Sequence, residues 1–90
     1  MLTRSSYFGV QKYAAKWTGD NRANNNEIQI SFNQLLSFGI AGIPFVGADI
    51  PGFAGNASDE IFVKFYQLGT FFPFMRAHGH NEAVRREPYL

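Results

Sequence analysis

Two aspartates, two arginines and a histidine carry most of the chemistry this chain of 90 residues offers. Asp20 sits in the turn Gly19-Asp20-Asn21, straight after Trp17-Thr18, and Asp49 comes at the end of the apolar run that spans residues 43–50. Arg4, Arg76 and His78 bring basic groups, and Trp17 and Phe53 put a flat ring beside each acid. Sugars present hydroxyls to charged groups and C–H faces to aromatic rings, so this set suits a polyhydroxylated substrate. No Ser-His-Asp spacing, phosphate-cradling Gly-rich loop or metal motif competes with that reading. His78 and His80 have no third ligand cluster nearby, so no metal is expected.

Taken singly, each residue has a plainer role. A lone Asp in a Gly-Asp-Asn turn ordinarily shapes the turn or caps a helix, and an Asp closing a strand ordinarily caps the next turn of chain. Arg4 and Arg76 would then be ion-pair partners for such acids, and Trp17 and Phe53 would be core. What points beyond these roles is their joint occurrence, acid with ring and base, at two successive strand ends.

The elements that must position these groups emerge from patterning. Residues 1–3 read as the end of a strand with Arg4 at its tip, residues 5–11 as a loop or a single helical turn, and residues 13–18 as a short apolar-biased strand. Ile28, Phe32, Leu35 and Leu36 recur at helical spacing, which predicts a helix over 25–38 capped by an Asn of the 24–26 run and stopped by Gly39. The alternation of Ile28, Ile30 and Phe32 also admits a strand, but length and the Gly stop favour the helix. Residues 43–50 read as a strand covered on both faces, with Pro44 at its start. Ser58 then reads as an N-cap leading into Asp59 and Glu60, and Ile61, Phe65, Leu68 and Phe72 hold helical register up to Pro73. The tail over 74–90 is polar and irregular. The order strand, helix, strand, helix predicts an α/β chain with a parallel sheet, whose ligand chemistry gathers at the carboxyl ends of the strands.

Composition bounds the rest. Hydrophobic residues make up 46% and charged residues 17%, which is too apolar for disorder and ordinary for one packed unit without an internal boundary over 1–90. A net charge of +1 with scattered basic residues argues against a nucleic-acid surface. No apolar run approaches the roughly 18–20 residues that span a bilayer. There is no Cys to build a disulfide framework or a thiolate metal site.

Several multi-residue motifs carry a resemblance to a known family. Arg4-Ser5, Gly9, Gln11 and Trp17-Thr18-Gly19-Asp20-Asn21 resemble the acid/base region of glycoside hydrolase family 31, the α-glucosidase family. The resemblance continues through Gly42-Ile43-Pro44-Phe45-Val46-Gly47-Ala48-Asp49-Ile50 and Gly52-Phe53, and resumes at Tyr66-Gln67-Leu68-Gly69, Phe72-Pro73-Phe74 and Arg76-Ala77-His78. It covers essentially the whole chain in order. It implies part of a (β/α)₈ TIM barrel, from the end of strand five through helix seven. It also implies a retaining hydrolase of terminal α-linked glucose, with Asp20 as general acid/base and no cofactor. A retaining acid must hold its proton at neutral pH, which burial and a nearby negative nucleophile would favour. Arg4 and His78 match positions that bind hydroxyls of the terminal glucose, Trp17 and Phe53 match walls of that pocket, and Asp49 and Arg76 match charged positions close by.

The segments Arg76-Ala77-His78-Gly79-His80 and Arg85-Arg86-Glu87-Pro88 look most like the branch of the family that trims glucose from N-linked glycans in the endoplasmic reticulum lumen. That likeness implies an oligosaccharide or N-glycan substrate and a noncatalytic partner subunit, with no nucleic acid and no membrane. Asn56-Ala57-Ser58 is a glycosylation sequon, consistent with a secretory-pathway protein. Some features depart from the pattern. The family's nucleophile motif has no counterpart here, Lys64-Phe65 stands where Arg-Trp is usual, Pro51 where a small residue is common, and Tyr7-Phe8 where Phe-Ala is familiar. The last three leave the implied chemistry untouched, whereas the missing nucleophile and the alignment of Met1 inside the family's fifth barrel strand lead to two expectations. Met1 is an internal residue of a longer reading frame, and the 90 residues alone are inactive. Two other readings stay open: a noncatalytic carbohydrate-binding or interaction module derived from the fold, and a family member with another sugar specificity such as an α-xylosidase.

Overall fold

A computed structural model describes residues 1–89. The chain forms β1 (Leu2–Thr3), a 3₁₀ turn (Val10–Lys12), β2 (Ala15–Trp17), α1 (Asn25–Ile40), β3 (Val46–Gly47), β4 (Asp49–Ile50), α2 (Asp59–Gly69) and β5 (Arg76–Ala77). All strand pairs are parallel. In one sheet β1-β2-β3 align Leu2 with Ala15 and Lys16 with Val46, and in the other β4 and β5 align Asp49 with Arg76.

The helices begin where their polar residues can satisfy the first free N–H groups. Asn24 accepts from the Glu27 N–H at 2.9 Å to open α1, and Ser58 accepts from the Ile61 N–H at 3.4 Å to open α2. Asp59 and Glu60 add negative charge to the first turn of α2, where the helix dipole favours it. α1 does not stop at Gly39. It runs through Ile40 and closes on Ala41, whose N–H donates to the Ser37 carbonyl, and Gly42 is the residue that takes the positive φ of +87°. A helical glycine is tolerated at modest cost, so it marks a stop only where the chain also turns away.

The apolar run over 43–50 is not one strand. It divides at Ala48 into β3, which pairs with β2, and β4, which pairs with β5. Phe74 N–H bonds to the Val46 carbonyl at 3.1 Å and His78 N–H to the Ile50 carbonyl at 3.0 Å, so the later chain runs alongside the whole stretch. A Cβ on Gly47 would collide with the Phe74 carbonyl, which is why so small a residue stands at the crossing. Such a change of partner along one extended stretch is what staggered, tilted parallel strands produce. In consequence Asp49 opens β4 instead of ending a strand, and Asp20 lies beyond β2, which ends at Trp17.

Two further expectations are corrected. α2 ends at Gly69, three residues short of Phe72, which is nonetheless buried from the turn after the helix. The tail is not irregular throughout, because it contains β5; two residues are too few to show alternation, and the strand exists only because β4 offers it an edge. Leu90, the end of the expected tail, lies outside the described residues.

The core lies between β4 and α2. Ala48, Ile50, Ile61, Phe65 and Phe72 are buried together, with Ile28, Leu35 and Leu68 packed against them. Full burial of Phe65 contributes about 2–3 kcal/mol. Of the apolar positions that announced α1, Ile28 and Leu35 reach this core, whereas Phe32 and Leu36 are exposed. They line an apolar groove with Leu68 and Phe71 between the two helices.

Candidate active site

The residues singled out from the sequence fall into one connected group. Arg4 comes directly after β1 and Asp20 shortly after β2, which are adjacent and parallel, so both side chains emerge at the carboxyl edge of the sheet. Arg4 Nη2 donates to Asp20 Oδ1 at 2.7 Å, with the two side chains 54% and 50% exposed. The guanidinium of Arg4 also lies 5.5 Å from the Trp17 ring centroid. The Arg76 guanidinium lies 5.7 Å from the same ring and 5.8 Å from that of Phe74. Trp17 thus bridges two cations, each held by its own acid.

Asp49 holds the second cation. Its Oδ1 accepts from Arg76 Nε at 3.3 Å and from Arg76 Nη2 at 3.1 Å, while its side chain is only 1% exposed. Its other oxygen, Oδ2, is buried without a hydrogen-bond partner among the described residues, as is Thr18 Oγ1. Burial pushes the Asp49 carboxyl above its ordinary range. Arg76 and His78 pull it back in part, and the charge of Asp20 adds a smaller upward push.

Phe53 stands between the two histidines, its ring centroid 5.7 Å from His78 and 6.2 Å from His80. Backbone pairing sets the spacing: His78 N–H bonds to the Ile50 carbonyl and His80 N–H to the Phe53 carbonyl. His78 and Phe53 therefore join the group through the same β4–β5 register that brings Arg76 to Asp49.

Three residues that hold the group together were not singled out from the sequence. Asn21 is buried beneath the acid turn; its Nδ2 donates to the Asp49 carbonyl and its Oδ1 accepts from the Phe53 N–H, both at 3.0 Å. It thus fastens the Asp20 turn to the Asp49 loop. Its place in a Gly-Asp-Asn turn was the available signal, since Asn side chains bond readily to backbone. Arg86 Nη1 donates to the carbonyls of Gly52 and His78, and its Nη2 to that of Gly55, drawing the tail across both loops. No local pattern announces such a clamp, because its partners are carbonyls far away in sequence. Lys16 is buried with its Nζ donating to the Arg4 carbonyl, 4.7 Å from the Phe38 ring, and burial lowers its pKa.

The loop after β4 leaves little room for change. Gly52 has φ +115°, and a Cβ there would strike the backbone of Arg22 and Ala23. The close approach is what lets Ala23 N–H reach the Ala54 carbonyl at 3.1 Å and Ala54 N–H reach the Asn21 carbonyl at 2.9 Å. Neither acid caps a helix here, since Asn24 and Ser58 do so. Asp20 is half exposed and not enclosed as expected, so its carboxylate, beside a guanidinium and an aromatic wall, is open to hydrogen bonds from a bound hydroxyl.

Comparisons with known proteins identify the family. The model of the glycosyl hydrolases family 31 TIM-barrel domain matches residues 1–90. Glucosidase 2 subunit alpha of Saccharomyces cerevisiae is 51% identical over the whole chain, which covers 9% of that protein. A probable glucan 1,3-alpha-glucosidase of Arabidopsis thaliana is 46% identical over the whole chain and 10% of its own length. Among solved structures, a glucosidase II alpha subunit with α3-Glc2 bound superposes at a TM-score of 0.94 with 50% identity, covering 98% of this chain and 10% of that one. A cycloalternan-degrading enzyme of Trueperella pyogenes in complex with isomaltose superposes at 0.86 with 26% identity, covering 98% and 13%. The chain spans about a tenth of the relatives it matches. It belongs to glycoside hydrolase family 31, within the TIM-barrel domain of that family.

Proposed function

We propose that these residues form the acid/base half of a retaining α-glucosidase that removes terminal α-linked glucose from oligosaccharides or N-glycans. The observation that carries this reading is the Arg4–Asp20 pair at the carboxyl edge of parallel strands, joined through Trp17 to the Asp49–Arg76 pair. In a barrel this edge is where substrates bind. β1, β2, the β3–β4 stretch and β5 read as four successive barrel strands, beginning with the fifth. That is one strand beyond the expected end at helix seven.

The surroundings of each group support a role for it. Asp20 protonates the departing glycosidic oxygen, then takes a proton from the incoming water, while a carboxylate outside these 90 residues attacks the anomeric carbon. Retention sets the two carboxyls roughly 5–5.5 Å apart. Arg4, exposed beside the acid, and His78, beside Phe53, bind hydroxyls of the terminal sugar, and Trp17 and Phe53 wall its ring. Buried Asp49 orients Arg76, which braces Trp17 from behind.

A solved relative is an ER glucosidase II heterodimer of catalytic subunit with the binding domain of a regulatory subunit, which supports a location in the lumen of the endoplasmic reticulum for this protein. A partner subunit of that kind is proposed here too. The test uses the full-length protein with Asp20→Asn and a nitrophenyl α-glucoside. Turnover should collapse, and azide, which needs no base to attack, should restore it by trapping the glycosyl-enzyme as an α-glucosyl azide. Unchanged turnover, or loss that azide does not relieve, would remove Asp20 from the acid/base role.

A further inference from the structure

The tripeptide Asn56-Ala57-Ser58 takes no part in the arrangement around the two acids. It occupies the loop between β4 and α2, with Asn56 and Ser58 both exposed. We propose that Asn56 carries an N-linked glycan, a proposal that rests on the lumenal reading above. The spacing is that of the N-glycosylation acceptor, with a residue other than proline in the middle.

The geometry leaves the acceptor atom available. Asn56 Oδ1 accepts from the Val84 N–H at 3.0 Å, which fixes the amide plane, while Nδ2 on the other branch makes no hydrogen bond among the described residues. Ser58 Oγ uses a lone pair for the Ile61 N–H and keeps its hydroxyl proton. In the transfer, Nδ2 bonds to the anomeric carbon of a lipid-diphosphate-linked oligosaccharide. The carbon–oxygen bond to the diphosphate breaks, the diphosphate leaves with the electron pair, and Nδ2 gives up one proton. The amide carbonyl survives, so the bond to Val84 is compatible with the modified side chain. The glycan would stand three residues beyond Phe53, on the loop whose Gly52 and Gly55 carbonyls are clamped by Arg86.

The experiment takes the full-length protein from microsomes of a eukaryotic secretory host. It scores protease protection and treats the purified protein with peptide N-glycosidase in ¹⁸O water. The Asn56 amide should convert to an ¹⁸O-labelled carboxyl in most molecules of the unaltered protein and of Ser58→Thr. Ser58→Asp, which keeps a side-chain acceptor for the α2 cap but removes the hydroxyl, should show no label and lose one glycan-sized step on a denaturing gel. Protected protein with Asn56 unlabelled would overturn the glycan alone. Unprotected, unlabelled protein would overturn it together with the lumenal reading.

Discussion

Asp20 and Asp49 each accept from an arginine, and the two arginines flank one tryptophan, but the pairs have opposite surroundings. Asp20 is half exposed and Arg4 with it; the Asp49 side chain is almost wholly enclosed and Arg76 closes over it. An exposed pair contributes little stability because water competes for both partners, about 0–1 kcal/mol. A buried pair can be close to neutral overall, yet removing one partner leaves an uncompensated charge and costs several kcal/mol. The same residue types thus sit in different settings according to solvent access: one acid is open to a ligand, the other is enclosed with its neighbour.

That division can be broken from either side. The largest effect is expected for Asp20→Asn in the full-length protein, with hydrolysis falling by about 10²–10⁴-fold and the thermal midpoint nearly unmoved. A large loss of stability would instead make Asp20 structural. Next is Arg76→Met, which strands the Asp49 carboxylate. Local stability should fall by about 3 kcal/mol, read as roughly hundredfold faster hydrogen exchange at the amides of the 49–54 loop, and the Arg4 side should keep its protection. Asn21→Ala removes two buried bonds to backbone at about 1–1.5 kcal/mol each. The same amides should exchange faster, while Gly52→Ala, which clashes with the Arg22–Ala23 backbone, should reproduce that loosening with every hydrogen-bonding side chain intact.

The smallest effect is on pH dependence. The Asp49 carboxyl lies above its ordinary 3.8 in the folded chain, so the folded state holds that proton more tightly than the unfolded one. Stability from this group is present below about 4 and is lost as pH rises through the folded value. Asp49→Asn should flatten that slope in thermal unfolding monitored from pH 4 to pH 7, whereas Asp20→Asn should leave it largely in place.

Much of the fold is written locally. The Asn run at 24–26 and Ser58 announced both helix starts, because a capping side chain meets N–H groups two or three residues away; the structure selects Asn24 from that run. The apolar spacing of Ile61 and Phe65 named the buried face of α2 for the same reason. What escaped local reading depends on partners distant in sequence. The division of the 43–50 run needs β2 on one side and β5 on the other, and β5 itself is a strand only by virtue of β4. Half of the apolar face of α1 stays open, as Phe32 and Leu36 show, and periodicity cannot tell a covered face from a bare one.

The sequence by itself determined the residue types and the motif order: acid after Trp-Thr-Gly, a second acid in an apolar run, and basic groups ahead of and behind them. Those motifs sufficed for the family, because several of them agree along the whole chain. Only the tertiary structure decided that Asp20 faces water while Asp49 does not, that Trp17 lies between Arg4 and Arg76, and that Asn21 and Arg86 tie the loops together. Solvent access and carbonyl contacts depend on which segments pack side by side, and no spacing along one segment encodes them.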